Sequence, residues 1–465
     1  MKSYIKKIGG FSLGPILTAL IGLIIVPLTT RFITVEEYGR SSMFVLAQGI
    51  ISMVVCLCMD QAYIREFNHE DDKRKLIQNA LFFPLLFSVL ISVLIVIFSE
   101  HVSLWLFGTR TEYLAVYMMA LMVPFIVLKT FTLASLRMKE KGLLYSLFSV
   151  LLKVLVLLFT LLLFFLYEKS FRSVVFALAL SEIIEGIILS LIFCKDFNFS
   201  RFRPDKELLF SMLRFSLPLI PSVLLSWALS STDQIMLRSL CTYSELGLYS
   251  AAHKIVSILS IIQTCFTTVW TPIYFRWYKD NVSNERYAFV MQAVCYLMSV
   301  LCFGVLLCKD VLGWILGGDF VEAISIFPFL LLHPVMYTMS EATVIGIFLT
   351  RKTRYNIWVS VVAGVANIAL NYCLIPFIGG RGAALATGVS YLIFFWVRTL
   401  ISRKIWHKFP IIHFVVCSAF IMINCVLHTF LTGWIPYAAS LISLLVFGLI
   451  AFKQIRKAWK KTSTL

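Results

Sequence analysis

Residues 143–166 read LLYSLFSVLLKVLVLLFTLLLFFL, and Lys153 is the only charged side chain among them. A helix needs about 20 mainly apolar residues to cross the hydrocarbon core of a bilayer. Such a segment must satisfy its own backbone hydrogen bonds in lipid, which a helix does internally. The stretch therefore predicts a membrane-spanning helix, and runs like it recur along the whole chain.

The composition extends this interpretation to the whole protein. Of the 465 residues, 60% are apolar and only 14% are charged, whereas about 25% are charged in soluble domains. A soluble multidomain enzyme and a disordered protein are thereby excluded. We predict an all-α integral membrane protein with about fourteen spans and no connecting segment long enough to form a domain. The predicted spans lie near 9–30, 42–60, 77–98, 113–133, 143–166, 172–193, 213–237, 247–271, 288–307, 323–348, 356–375, 382–400, 411–429 and 435–452.

Lysine and arginine are distributed unevenly between the two sets of predicted loops. The two termini and every second loop, starting with the loop at residues 61–76, together hold 29 of these residues. The other loops hold 8, and four lie within spans. Because cytoplasmic loops are enriched in these residues, both termini are predicted to be cytoplasmic. The excess of 41 basic over 24 acidic residues is thereby explained, and no nucleic-acid partner is predicted.

Two short patterns occur in both halves of the chain. Phe11-Ser12-Leu13 opens the first span and Phe215-Ser216-Leu217 opens the seventh, and each is followed by prolines. An acidic turn follows each of these spans, at Glu37-Tyr38-Gly39 and at Glu245-Leu246-Gly247. Both copies start on the same side, so a parallel repeat of two six-helix lobes is predicted. The predicted parts are an N-terminal lobe (1–195), a C-terminal lobe (196–405), and two further helices with a basic cytoplasmic tail (406–465).

Five segments of the chain carry a family resemblance. They read TRFITVEEYG at 30–39, FSLPLIP at 215–221, DQIML at 233–237, SELGLYSAAHK at 244–254 and NIALNYCLIPFIGGRGAALAT at 367–387. In order and spacing these segments resemble the polysaccharide flippases of the Wzx type, which act in O-antigen and capsule synthesis. That family belongs to the superfamily that includes multidrug-and-toxin exporters and the lipid II flippase.

The resemblance implies an activity and an architecture. The activity is translocation of an undecaprenyl-pyrophosphate-linked oligosaccharide from the inner to the outer leaflet of the bacterial inner (cytoplasmic) membrane, for lipopolysaccharide O-antigen or capsule. The architecture is two lobes that form a V around a central cavity and work by alternating access. The implied partners are the lipid-linked substrate, membrane lipids, a polysaccharide polymerase and a chain-length regulator.

Ionisable side chains within spans are unfavourable in lipid, so they usually face the protein interior or a pathway. Lys153 lies about 15 Å into span five by helical rise, and Glu182 and Glu185 share one face of span six at similar depth. Lys153 either pairs with one of these carboxylates or faces the cavity, where an anionic pyrophosphate needs a cationic partner. Lys129, close to the cytoplasmic end of span four, either belongs to the path or snorkels to the interface.

Further candidates lie in other spans. Asp233 and Lys254 have similar depth on adjacent spans, and they either form a structural ion pair or line the path. Asn367 and Asn371 share one face of span eleven, where they either bridge helices or contact sugar. Arg31, at the outer end of span one, either snorkels or contacts the substrate. The predicted substrate-binding and translocation residues are Arg31, Lys129, Lys153, Glu182, Glu185, Asp233, Lys254, Asn367 and Asn371.

No catalytic residue, cofactor or metal site is predicted. The segment His69-Glu70-Asp71-Asp72 lies beside Lys73-Arg74-Lys75, so a solvated charge run is favoured over a metal site. The cysteines form no CxxC pair and predict neither zinc binding nor disulfides. Because the chain has no GxxxxGK[ST] loop, energy is expected from a coupling ion (H⁺ or Na⁺), the membrane potential or consumption of the product.

Two alternative functions remain open at the level of sequence. An ion-coupled exporter of small cationic molecules, from the same superfamily, would line its cavity mainly with acidic residues, whereas the charges within the spans are nearly balanced. A membrane-embedded glycosyltransferase or polymerase needs catalytic carboxylates on substantial water-exposed loops, whereas the predicted outer loops are short.

Overall fold

The structure, a computed structural model, describes residues 2–194 and 204–462. The apolar segments form helices, and the described residues contain no strand. The predicted lobe boundary at residue 195 lies outside the described residues. The helices are α1 (Lys2–Phe32), α2 (Val35–Val55), α3 (Met59–Glu66), α4 (Lys73–Ile97), α5 (Ser99–Phe107), α6 (Tyr113–Met138), α7 (Gly142–Leu166), α8 (Phe171–Ile192), α9 (Lys206–Ser216), α10 (Ile220–Leu240), α11 (Tyr243–Lys279), α12 (Asn284–Leu307), α13 (Lys309–Leu316), α14 (Ala323–Leu330), α15 (Leu332–Thr343), α16 (Ile345–Leu349), α17 (Arg354–Ile405), α18 (Ile412–Phe430) and α19 (Ile435–Thr462).

The described helices account for the predicted spans. Twelve helical segments of the described chain are long and apolar enough to cross a membrane, two of which (Lys206–Ala228 and Ala323–Thr343) run through consecutive helices, and the pair α2 and α3, bent by 49°, makes a thirteenth candidate. α17 has 52 residues and contains non-helical backbone at Ile378 and Gly379. Its two halves match the predicted spans at 356–375 and 382–400, so this kink accounts for the remaining span. The predicted all-α membrane fold is confirmed.

The kink in α17 depends on a glycine. Gly379 has φ 53° and ψ −131°, a conformation that residues with a Cβ atom rarely adopt. The Gly380 N–H donates to Glu245 Oε2 at 2.7 Å, and a Cβ atom on Gly379 would lie 2.4 Å from the same oxygen. Glu245 therefore caps the second half of α17, and the glycine leaves room for its carboxylate.

The two acidic turns predicted from the sequence are helix N-termini. At the start of α2, the Glu37 N–H donates to Thr34 Oγ1 at 3.3 Å and the Thr34 N–H donates to Glu37 Oε2 at 3.1 Å. At the start of α11, the Glu245 N–H donates to Thr242 Oγ1 at 3.4 Å, while the Glu245 carboxylate reaches Gly380 instead. The recurring pattern thus has a common physical cause in helix capping.

The chain divides into two compact units, Met1–Ser231 and Thr232–Leu465. In the first unit, α6 packs against α4 and α8, and α7 packs against α1 and α8. In the second unit, α17 packs against α14 and α15, and α12 packs against α15, α18 and α19. The two helices predicted as an addition to the lobes, α18 and α19, therefore pack on helices of the second unit.

Candidate functional site

Polar side chains from α2, α6, α7 and α8 lie together inside the first unit. Lys129 of α6 forms an ion pair with Glu182 Oε2 of α8, and Gln48 of α2 donates to Glu182 Oε1 at 2.9 Å. Lys129 therefore lies paired within the helix bundle and does not snorkel to the interface. The set of Gln48, Lys129, Lys153, Glu182 and Glu185 is called the Glu182 cluster below.

Two members of the Glu182 cluster have no hydrogen-bond partner among the side chains that the structure describes. Glu185 is fully buried, and neither of its carboxyl oxygens has a partner among the residues that the structure describes. Lys153 of α7 is half-buried, and the charged groups around it are Lys129, Glu182 and Glu185. Within the described part of the chain, Lys153 makes no ion pair, so the predicted pairing with either glutamate is not formed.

A second ion pair fixes α8 beside α6. Arg172, in the first turn of α8, donates from Nε and Nη2 to the two oxygens of Glu112 at 2.8 Å each. Glu112 precedes the first residue of α6, and the Ser170 hydroxyl caps α8 by accepting from the Arg172 N–H at 3.2 Å. This bidentate pair resists sliding of one helix along the other, which holds Glu182 opposite Lys129.

The second unit contains a different polar group, centred on Asp233 of α10. Its Oδ1 accepts from Asn367 Nδ2 at 3.2 Å and from Asn371 Nδ2 at 2.5 Å. Its Oδ2 accepts from the Tyr249 hydroxyl at 2.6 Å and from the Thr387 hydroxyl. Asp233 is buried. These five residues are called the Asp233 cluster below, and they connect α10, α11 and both halves of α17.

Of the other candidates, two belong to this set. Asn367 and Asn371 bridge α17 to α10, as one of their two predicted roles required. Lys254 is exposed, and the groups that donate to the Asp233 carboxylate among the described residues are neutral. Arg31 is exposed in the last turn of α1.

The Asp233 cluster offers several oxygen atoms at one buried place. The carboxylate, the Thr387 hydroxyl and the amide oxygens are of the kind that hard cations prefer. These oxygen atoms are therefore of the kind that a sodium ion would need, and Asn371 Oδ1 is the one among them without a partner in the described part of the chain.

Several partners of these groups were not singled out from the sequence. Gln48, Tyr249 and Thr387 are neutral, and only their position beside a buried carboxylate distinguishes them from similar residues elsewhere. Glu341 lies within the predicted span at 323–348, and its partner is Arg398, whose Nη1 donates to Glu341 Oε1 at 2.7 Å. The sequence signal for that pair is that both are charged residues inside predicted spans.

Comparisons with known proteins identify the family to which the sequence is similar. Residues 4–277 match the family model described as "Polysaccharide biosynthesis protein". No curated protein sequence gives a significant match. The predicted resemblance to the Wzx-type flippases is thereby confirmed at the level of family.

Solved structures share the fold. A lipid II flippase MurJ in an inward closed conformation has a TM-score of 0.72 and 16% identity, over 96% of this chain and 99% of that chain. A multidrug resistance MATE family transporter in an inward-facing conformation has a TM-score of 0.63 and 17% identity, over 84% of this chain and 94% of that chain. An outward-facing MATE family transporter has a TM-score of 0.55 and 17% identity, over 86% and 95% of the two chains. With more than half of its length matched by the family model, the chain belongs to the polysaccharide biosynthesis protein family.

Proposed function

We propose that the protein moves undecaprenyl-pyrophosphate-linked oligosaccharide repeat units from the cytoplasmic to the outer leaflet of the bacterial inner membrane. The observation that carries the proposal is the family match over residues 4–277. It is supported by the fold, which is similar to that of a lipid II flippase. The translocated repeat units would supply the synthesis of O-antigen or capsule.

The proposed mechanism is alternating access by two six-helix lobes, 1–195 and 196–405, with 406–465 as an addition. The polyprenyl tail of the substrate is apolar and can remain in lipid. The pyrophosphate and the sugars need a polar passage, because a charged group without partners is strongly unfavourable in an apolar medium. Polar side chains within the spans are therefore where we place the passage.

Lys153 is the residue that we assign to the pyrophosphate. An ammonium group inside a span is stabilised when it has an anionic or polar partner. No ion pair satisfies Lys153 within the described part of the chain, although two glutamates lie near it. A phosphate oxygen would form a charge-assisted hydrogen bond with this group. Arg31 and Lys254, which are both exposed, are proposed as further cations of the path.

We also propose an energy source, an orientation in the membrane and partner proteins. We place the coupling ion, H⁺ or Na⁺, at the Asp233 cluster, where Asn367 and Asn371 surround the carboxylate. Both termini are proposed to be cytoplasmic. A polysaccharide polymerase and a chain-length regulator are the proposed partners, because they would consume the translocated repeat units.

The alternative is export of a small cationic molecule. It is favoured by one observation, the buried Glu185 carboxyl group whose oxygens are without partners in the described residues. A cationic substrate would bind such a group, and it would be repelled by Lys153. The two functions therefore make opposite demands on Lys153.

The decisive experiment replaces Lys153 in cells that depend on this protein for their surface polysaccharide. We expect Lys153→Ala to abolish surface polymer and to accumulate lipid-linked repeat units on the cytoplasmic side, at normal protein level. Lys153→Arg retains the positive charge and should retain most of the polymer. Lys169→Ala is the control, because Lys169 lies exposed just beyond the end of α7.

Normal polymer from the Lys153→Ala variant would contradict the assignment. A gain of resistance to a cationic drug, together with unchanged polymer, would favour the exporter, because Lys153→Ala removes the charge that repels the cation. Both measurements can be made on the same set of strains.

A further inference from the structure

Glu185 is a buried acid that the proposed passage does not by itself explain. Its side chain is 0% exposed in α8, and neither carboxyl oxygen has a hydrogen-bond partner in the described part of the chain. An ionised carboxylate is strongly unfavourable in such surroundings, and a group of this kind takes up a proton instead. Burial without a hydrogen-bond partner therefore favours the neutral acid form of Glu185.

The charged groups around Glu185 come from three helices. They are Lys129 of α6, Lys153 of α7, and Glu182, which precedes Glu185 by about one turn of α8. α2, which also packs against α8, contributes the uncharged Gln48 to Glu182. Lys129 is already paired with Glu182. Among the residues that the structure describes, Lys153 is thus the cation near Glu185 that is not paired with another carboxylate.

We propose that Glu185 and Lys153 form a proton-linked anion site. With Glu185 protonated, Lys129 and Glu182 cancel and the cluster has one net positive charge, on Lys153, which a phosphate group can approach. When Glu185 loses its proton to water, its carboxylate takes Lys153 as its partner and the cluster has no net charge. The Lys153 ammonium group is then no longer available to bind the phosphate. This inference rests on the proposed function, since it takes the anion to be the substrate pyrophosphate.

Competition between the Glu185 carboxylate and the phosphate for Lys153 has a thermodynamic consequence. Because Lys153 serves either Glu185 or the phosphate, binding of the anion favours the protonated form of Glu185, and protonation favours binding of the anion by the same factor. At a pH at which Glu185 is ionised in the free protein, anion binding is therefore accompanied by uptake of one proton from water, and release of the anion returns that proton. The passage in the first unit would thus sense pH independently of the Asp233 cluster.

The protonation state can be measured without any substrate. Infrared spectra of the full-length protein in lipid nanodiscs at neutral pH should show the carbonyl-stretch band of a protonated carboxyl group, and Glu185→Gln should remove it. Glu112→Gln is the matched control, because Glu112 is also buried but both its oxygens accept from Arg172. This control should keep the band. Identical spectra from the wild type and the Glu185→Gln variant would overturn the proposal.

Linkage is measured with farnesyl pyrophosphate, a polyprenyl pyrophosphate without sugar. Below the pH at which Glu185 loses its proton, the wild-type affinity should equal that of Glu185→Gln, and above that pH it should fall about tenfold per pH unit relative to Glu185→Gln, as expected for one linked proton. Glu185→Gln imitates the neutral acid and provides the reference for titration of the ligand itself. Lys153→Met should bind weakly at every pH.

The two proposals fail in different ways. Equal pH dependence in the wild type and the Glu185→Gln variant, with farnesyl pyrophosphate still bound through Lys153, would overturn the proton link and leave the proposed function standing. Absence of binding to the wild type and to Glu185→Gln at every pH would overturn the anion site and would also count against the proposed function.

Discussion

Buried charges in this protein are of two kinds at the scale of single residues. The Arg398 guanidinium is satisfied, since it donates to Glu341 at 2.7 Å and to the Ser340 hydroxyl at 3.0 Å. Lys153 and Glu185 are close to opposite charges but make no ion pair among the described residues. A satisfied pair holds two helices together, whereas groups of the second kind are available to a ligand or a proton.

The Arg398–Glu341 pair is therefore predicted to be structural. Arg398→Ala leaves Glu341 buried without its partner, and breaking a buried pair in this way costs about 3–5 kcal/mol of unfolding free energy. Replacing both, by Arg398→Met and Glu341→Leu, removes both charges and should recover most of the loss. Thermal unfolding of the purified protein in detergent measures the difference, and surface polymer measures function. A stable double variant without polymer would show instead that the pair takes part in transport.

The depth of Lys129 within its helix could not be predicted from the sequence. The predicted span four ended near residue 133, which placed Lys129 close to the interface. α6 continues to Met138, so Lys129 lies more than two turns before its end. An amphipathic continuation beyond the apolar run is invisible to a hydropathy pattern, and the partner Glu182 is distant in sequence. The shared face of Glu182 and Glu185, in contrast, follows from helical spacing alone.

At the scale of elements, the kink in α17 could be predicted in its position but not in its contacts. The sequence predicted two spans here, separated near Pro376 and Gly379, and the structure places the non-helical residues at Ile378 and Gly379. The position of the break could be predicted because proline and glycine disfavour helix interiors. The cap supplied by Glu245 could not, since it comes from a residue far away in the chain.

Gly379→Ala is predicted to destabilise this element. The new Cβ atom would meet the Glu245 carboxylate at 2.4 Å, and the backbone conformation alone costs a residue other than glycine about 1–3 kcal/mol. Unfolding in detergent should therefore begin at a lower temperature than in the wild type. Gly448→Ala in α19 is the control, because a Cβ atom there meets nothing within 4 Å. Equal stability of the two variants would mean that Gly379 is not required at the kink.

At the scale of the whole molecule, composition and hydropathy were sufficient to predict the class of fold. Helices in lipid are defined by long apolar runs, which the sequence displays directly. The polar clusters were less predictable, because each joins helices whose pairing depends on the packing of an entire unit. Asp233 illustrates this, since the groups that donate to its carboxylate among the described residues are neutral side chains from distant parts of the sequence.

The orientation of the molecule is predicted by its loop charges. Fusions of alkaline phosphatase, which is active only outside the cytoplasm, can be placed after Glu140 and after Glu168, on either side of α7. The fusion after Glu140 should be inactive, because that loop belongs to the lysine- and arginine-rich set, and the fusion after Glu168 should be active. The opposite pattern would place both termini outside the cytoplasm.

The two helix starts at Thr34 and Thr242 have a consequence for any superposition of the two halves of the sequence. They share one pattern, yet Glu37 closes its own capping box while Glu245 anchors a bend in another helix. Aligning the two halves at this glutamate would therefore equate side chains that stabilise different parts of the molecule.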